Sequence, residues 1–183
     1  MIFRKVDGAA TGQIIQQYLD STRSLRGNAV RNSSYVRWFK DIGLNDVPLV
    51  GGKNASLGEL YSALSPQGVR VPNGFTLTAE AYRDALTEAR VLDDLRNLLT
   101  GLDKRRISDL SKRAARARAI VYAATDRDDL RRAVEQAYGQ LEKEYGPNVA
   151  VAVRSSATAE DLPTASFAGQ HESFLNVRGP LAL

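Results

Sequence analysis

Apolar positions recur at helical spacing through most of the middle of the chain. Leu57, Leu60, Tyr61 and Leu64 stand at i, i+3, i+4 and i+7, which predicts an amphipathic helix. Ser56 followed by Glu59 fits a capping box at its start, with Asn54 as an alternative cap. Ala81, Tyr82, Ala85, Leu86 and Ala89 form a second stripe behind a capping Thr78. Leu92, Leu95, Leu98 and Leu99 form a third, stopped by Gly101. Ile107, Leu110, Ala114, Ala117 and Val121 form a fourth. Leu130, Ala133, Val134, Ala137 and Leu141 form a fifth, opened by Asp126 or Asp128 and ended by Gly146-Pro147. Residues 78–146 are thus expected to be mostly helical.

Other stretches lack that period. Residues 35–41, YVRWFKD, predict a short strand or extended segment whose Trp38 and Phe39 supply core area. Residues 69–77 read as two short strand pieces around a Pro72-Asn73-Gly74 turn. Residues 149–153 are all apolar, as in a central strand buried on both faces, and 174–177 is a second apolar run. The expected fold class is α+β: one main domain in which a small mixed sheet, including 149–153 and 174–177, packs with several helices. Before residue 35 the pattern changes. Ile14, Ile15, Tyr18 and Leu19 mark one face of a short helix, and 21–34 is polar and basic, as linkers are. Residues 1–34 are expected to be an extension or linker, and 35–183 the main domain.

Composition narrows the class. A chain of 183 residues suits one domain with an appendage. No apolar run approaches the ~20 residues of a membrane span. The N-terminus lacks the apolar core of a signal peptide. A cytoplasmic protein without a membrane partner is expected. The chain has no cysteine, which excludes disulfides and thiolate metal sites. Its single histidine, His171, speaks against zinc and leaves no Ser-His-Asp scheme except one through His171. The net charge of +4 points only weakly to phosphate or nucleic-acid partners. Residues 104–118 hold seven basic side chains, mostly between the apolar positions of the fourth stripe. A solvated helix face explains them, so no nucleic-acid partner is expected.

Two stretches carry candidate chemistry. Gly51-Gly52-Lys53 stands just before the first helical stripe. Glycines let a backbone approach a ligand closely, and the N–H groups at a helix start favour anions. The pattern is not a Walker A loop, because Asn54 follows Lys53 and Val47 stands where that motif needs its first glycine. A glycine turn entering a helix, with Lys53 solvated, is the other reading. Arg154 follows the 149–153 run and offers a fork of donors matched to phosphate oxygens. Ser155, Ser156 and Thr158 add hydroxyl donors. Here the other reading is a salt bridge from Arg154 to Glu160 or Asp161.

Taken together, VGGKNASLGEL (50–60), VPNGFTLTAEAY (71–82) and AVRSSATAEDLPTASFAGQHESFLNV (152–177) closely resemble the N-terminal nucleotide-binding region of the phosphoenolpyruvate-utilising dikinases. The resemblance runs from about residue 36 to 177. SATAEDLP (156–163) and SFAGQ (166–170) are similar to the water-dikinase, or phosphoenolpyruvate synthase, branch rather than to pyruvate, phosphate dikinase. Rifampicin phosphotransferases share much of that stretch but tend to carry GGKGANLGEL, so Asn54 and Ser56 favour the water-dikinase branch. The resemblance implies an ATP-grasp fold and ATP with Mg2+ as the ligand. It implies that Lys53 contacts the ATP phosphates, that Arg154 grips the transferred phosphoryl oxygens, and that Gly51 and Gly52 shape the turn. Ser155 is grouped with them.

The implied reaction converts ATP, pyruvate and water to phosphoenolpyruvate, AMP and phosphate through a phosphohistidine in a TSHAA-like motif. That motif is missing here, and His171 lies in GQHESF as an ordinary loop residue. No catalytic residue is therefore expected in this chain, and the metal ligands are expected beyond Leu183. The chain is expected to be an ATP-binding fragment that does not turn over alone. Its expected partner is a separate chain carrying the phosphohistidine and pyruvate-binding domains. A non-catalytic regulatory or interaction module is the alternative of another class.

Overall fold

The computed structural model describes residues 35–103, 105–158 and 172–183. The expected extension over 1–34, the salt-bridge candidates Glu160 and Asp161, and His171 lie outside these residues. The chain divides into two compact units. The described part of the first is 35–82 with 127–158 and 172–183, and that of the second is 83–103 with 105–126.

The first unit begins with β1 (Val36–Trp38), which pairs antiparallel with β2 (Phe75–Leu77), Val36 opposite Leu77 and Trp38 opposite Phe75. The Trp38 and Phe75 rings meet at a tilt, centroids 5.7 Å apart, a favoured aromatic geometry. Between the strands the chain forms 3-10 turns at Phe39–Asp41 and Leu44–Asp46, one helical turn α1 (Val47–Val50), and α2 (Gly52–Leu64). Pro48 sits early in α1, where a missing N–H costs nothing. Ile42, Val50 and Ala55 form a buried cluster, with Phe39, Val47 and Leu49 packed against it.

The buried face of α2 differs from the expected one. Gly52, Ala55 and Gly58 are buried, whereas Leu60 is 48% exposed. A Cβ on Gly58 would lie 2.4 Å from the Ile42 carbonyl oxygen, so helix backbone packs directly on the 42 segment. Only glycine at 58 permits that approach. The expected capping box is also absent, because α2 starts earlier, at Gly52, and Ser56 lies inside it. Glu59 instead accepts a hydrogen bond from the Leu44 N–H at 3.3 Å.

Of the two strand pieces expected over 69–77, one forms. The Asn73 N–H donates to the Tyr145 hydroxyl at 2.8 Å, and its side-chain amide donates to Glu144 at 2.9 Å. These bonds tie the loop to a helix and leave β2 to start after it. Thr78 then caps α3 (Ala79–Glu88) as expected, accepting from the Ala81 N–H at 3.2 Å.

The chain passes into the second unit within α3. There α4 (Leu92–Leu99) packs on α5 (Ile107–Thr125). Leu95, Leu99, Leu110, Ala114, Ala117 and Val121 are buried, matching the expected stripes, but Ile107 is exposed. Arg113 donates to the carbonyls of Leu98 at 2.9 Å and Thr100 at 3.0 Å, closing the end of α4. One of the basic residues of 104–118 is therefore structural.

Back in the first unit, α6 (Asp128–Tyr145) buries Leu130, Ala137, Tyr138 and Leu141 and ends at Gly146, φ 101°. The last two strands, β3 (Val151–Arg154) and β4 (Ser173–Val177), pair antiparallel. The α+β class is borne out. The expected mixed sheet is not: the described strands make two separate antiparallel pairs. Nor is β3 buried on both faces. Val151 and Val153 are half-buried while Ala152 and Arg154 are exposed, because among the described residues β3 has only β4 beside it. From Val151 opposite Val177 to Val153 opposite Phe174, the register advances two residues on β3 and three on β4. The extra residue is a bulge. Asn176 sits at φ 57° within it, and asparagine tolerates that left-handed conformation. The bulge breaks the alternation of β4, leaving both Leu175 and Asn176 exposed.

Tyr138 fixes this hairpin to α6. Its buried hydroxyl donates to the Val149 carbonyl at 2.7 Å and accepts from the Gly179 N–H at 2.9 Å. Glu142 accepts from the Asn148 N–H at 2.8 Å, and Arg178 donates to the Asn148 carbonyl at 2.6 Å. The entry to β3 and the exit from β4 are thus held together.

Candidate functional site

Gly51 and Gly52 form the corner between α1 and α2. Gly51 has φ 81° and ψ 159°, a region essentially reserved for glycine. Its carbonyl accepts the Ala55 N–H at 3.0 Å, the first turn of α2. Gly51 is therefore the helix N-cap, and Gly52 and Lys53 are the first two helical residues. The sequence placed all three just before the helix; they are part of its start. The initial N–H groups of a helix lack intrahelical partners and carry the positive end of its dipole. Lys53, half-buried, adds its charge at that end.

The second stretch comes to the same corner. A Cβ on Gly51 would fall 2.3 Å from the Ser156 hydroxyl oxygen and 2.9 Å from the Ala157 carbonyl oxygen. The Gly52 N–H points at that Ala157 carbonyl, 3.4 Å away. The Ser156 hydroxyl is buried, without a hydrogen-bond partner among the described residues. So the loop after β3 packs on the glycine corner, and a side chain at Gly51 would push it off.

Arg154 ends β3, opposite Ser173, and is exposed; Ser155 is half-buried. Arg154 lies three residues before Ala157, within roughly 11 Å of Cα path at 3.8 Å per step. Lys53 lies one step from Gly52. One backbone contact therefore brings the loop that follows Arg154 to the helix start that carries Lys53. A helix start with a lysine in its first turn suits an anion, since both present positive charge. Among the described residues no three His, Cys, Asp or Glu side chains come together as a metal site. No described helix is long and apolar enough to cross a membrane.

Asn54 and Thr76 were not read from the sequence as parts of this region. The sequence offers Asn54 as an alternative cap and as a mark of the water-dikinase branch. It lies in the first turn of α2, and its amide reaches back to the Val50 carbonyl at 2.8 Å and across to the Thr76 hydroxyl at 2.8 Å. The Thr76 partner is a tertiary contact that spacing does not reveal.

Comparison with known proteins adds an independent finding. A family described as "Pyruvate phosphate dikinase, AMP/ATP-binding domain" matches residues 47–183. The phosphoenolpyruvate synthase of Synechocystis sp. is 46% identical over 154 residues, covering 81% of this chain and 19% of that protein. That of Escherichia coli is 46% identical over 148 residues, with the same coverage of 81% and 19%. A probable phosphoenolpyruvate synthase of Methanocaldococcus jannaschii is 42% identical over 146 residues, 79% of this chain and 12% of that protein. The chain thus spans about a fifth or less of the length of these relatives.

Proposed function

The chain belongs to the family of the pyruvate phosphate dikinase AMP/ATP-binding domain, and from that premise we propose that it binds the phosphates of ATP with Gly51, Gly52, Lys53, Arg154 and Ser155. The observation that carries this reading is the packing of the 155–157 loop on the glycine corner, 2.3 Å from a Gly51 Cβ to the Ser156 oxygen. It supports one phosphate site built from both stretches rather than two unrelated motifs. Gly51 and Gly52 shape the turn and let the loop after β3 close on the helix start. Lys53 supplies a mobile charge there, and Arg154 supplies a planar fork. Ser155 adds a hydroxyl donor.

In this reading the described residues belong to an ATP-grasp-type nucleotide-binding fold, and Mg2+ arrives as MgATP. The chain serves a pyruvate, water dikinase reaction, in which ATP, pyruvate and water give phosphoenolpyruvate, AMP and phosphate. Similarity at 46% to phosphoenolpyruvate synthases supports that branch. The role of the named residues is to hold the nucleotide and offset charge on the phosphoryl group as it is transferred, which is most of what a protein contributes to such a step.

Calorimetric titration with MgATP tests the assignment. The unsubstituted chain is expected to bind. Lys53→Ala and Arg154→Ala are each expected to weaken binding about tenfold or more, as loss of a hydrogen bond between charged groups does. Binding that neither substitution weakens means the site lies elsewhere.

A further inference from the structure

The Asn54 side chain bonds to Val50 and Thr76, neither of them assigned to the phosphates, and so braces the corner that carries those groups. Its amide nitrogen donates to the Val50 carbonyl and to the Thr76 hydroxyl, both at 2.8 Å. The orientation of the amide is forced, because a carbonyl only accepts. The Val50 carbonyl belongs to the peptide that leads into Gly51, so this bond fixes the plane from which the glycine corner starts. Thr76 is the middle residue of β2 and is buried at 8% exposure. Its hydroxyl donates onward to the Leu77 carbonyl at 3.1 Å, leaving a lone pair for Asn54. The corner is thus tied to a strand 22 residues away. Two adjacent glycines lose much conformational freedom on ordering, and a fixed anchor on one side lowers what remains to be lost when a ligand binds.

We infer that Asn54 and Thr76 are positioning residues that preorganise the Gly51-Gly52-Lys53 corner for the nucleotide's phosphates. This rests on the ATP reading above. Neither side chain is assigned a contact with the ligand.

Thr76 allows a test that separates positioning from mere packing. Thr76→Val keeps the volume and removes the acceptor. Thr76→Ser keeps the acceptor and removes a methyl group. MgATP affinity is measured by titration for the unsubstituted chain, both Thr76 variants and Asn54→Ala, with thermal midpoints alongside. Thr76→Val and Asn54→Ala are expected to raise the Kd about fivefold to tenfold, the size of one or two lost hydrogen bonds. Thr76→Ser is expected to stay within about twofold, even if its midpoint falls further than that of Thr76→Val. A packing role gives the opposite order for the two Thr76 variants, and that order overturns the inference. So does a Thr76→Val variant that binds as tightly as the unsubstituted chain. If Asn54→Ala does not fold, the Thr76 pair decides. An unsubstituted chain that fails to bind MgATP overturns the ATP reading itself, a result that the control reveals before any variant is compared.

Discussion

Gly51 is the residue on which the proposed site turns. Its backbone, φ 81° and ψ 159°, is open to glycine and strained for anything larger. Gly51→Ala is expected to cost roughly 1–3 kcal/mol from backbone strain alone. The clash with the Ser156 oxygen, 2.3 Å from the new Cβ, adds to that. A lowered urea midpoint together with weakened MgATP binding is the expected result; an unchanged midpoint contradicts the close packing at this corner. The need for small residues here was legible, since adjacent glycines before a lysine and a helical stripe suit close backbone approach. What they approach was not legible. Ser156 and Ala157 lie about a hundred residues along the chain, and no local pattern records that contact. The same holds for Asn54, whose amide suggested a cap and serves instead as a tie to Thr76.

At the scale of elements, the helices were the legible part. The stripes through Leu110, Ala114, Ala117 and Val121, and through Leu130, Ala137 and Leu141, are buried as spacing predicts. The first stripe holds only in part, with Leu57, Tyr61 and Leu64 half-buried and Leu60 exposed, for a physical reason. Leu57, Leu60, Tyr61 and Leu64 dominate a count of large apolar side chains, but α2 packs through Gly52, Ala55 and Gly58, where backbone does the packing. The strand reading failed differently. An apolar run of residues leaves open how many neighbours a strand has, and β3 has one among the described residues. The fifth stripe includes Ala137 but not its neighbour Tyr138, the largest side chain among those almost fully buried. Its hydroxyl clamps both ends of the hairpin that carries Arg154. Tyr138→Phe leaves the Gly179 N–H without its acceptor and is expected to cost about 1–3 kcal/mol. Hydrogen exchange should show faster opening of the β3 and β4 amides, with MgATP affinity reduced. Exchange unchanged across the hairpin contradicts the clamp.

At the scale of the whole molecule, every group assigned to the phosphates lies in the first unit, and the helical unit over 83–126 contributes none. The basic excess was a poor guide to that division, since Arg113 is used to close a helix end. The family was legible from three short motifs because they are spaced along the chain in a fixed order, and residues 47–183 match it. The chain covers 19% of the length of its Synechocystis sp. relative. In the proposed function the glycine corner and the end of β3 form one nucleotide site. Backbone amide resonances followed during an MgATP titration test it directly. The amides of Gly51, Gly52 and Lys53 and those of Arg154, Ser155 and Ser156 are expected to shift together and saturate with a single Kd. Shifts in only one of the two sets, or two sets that saturate at different concentrations, contradict a shared site.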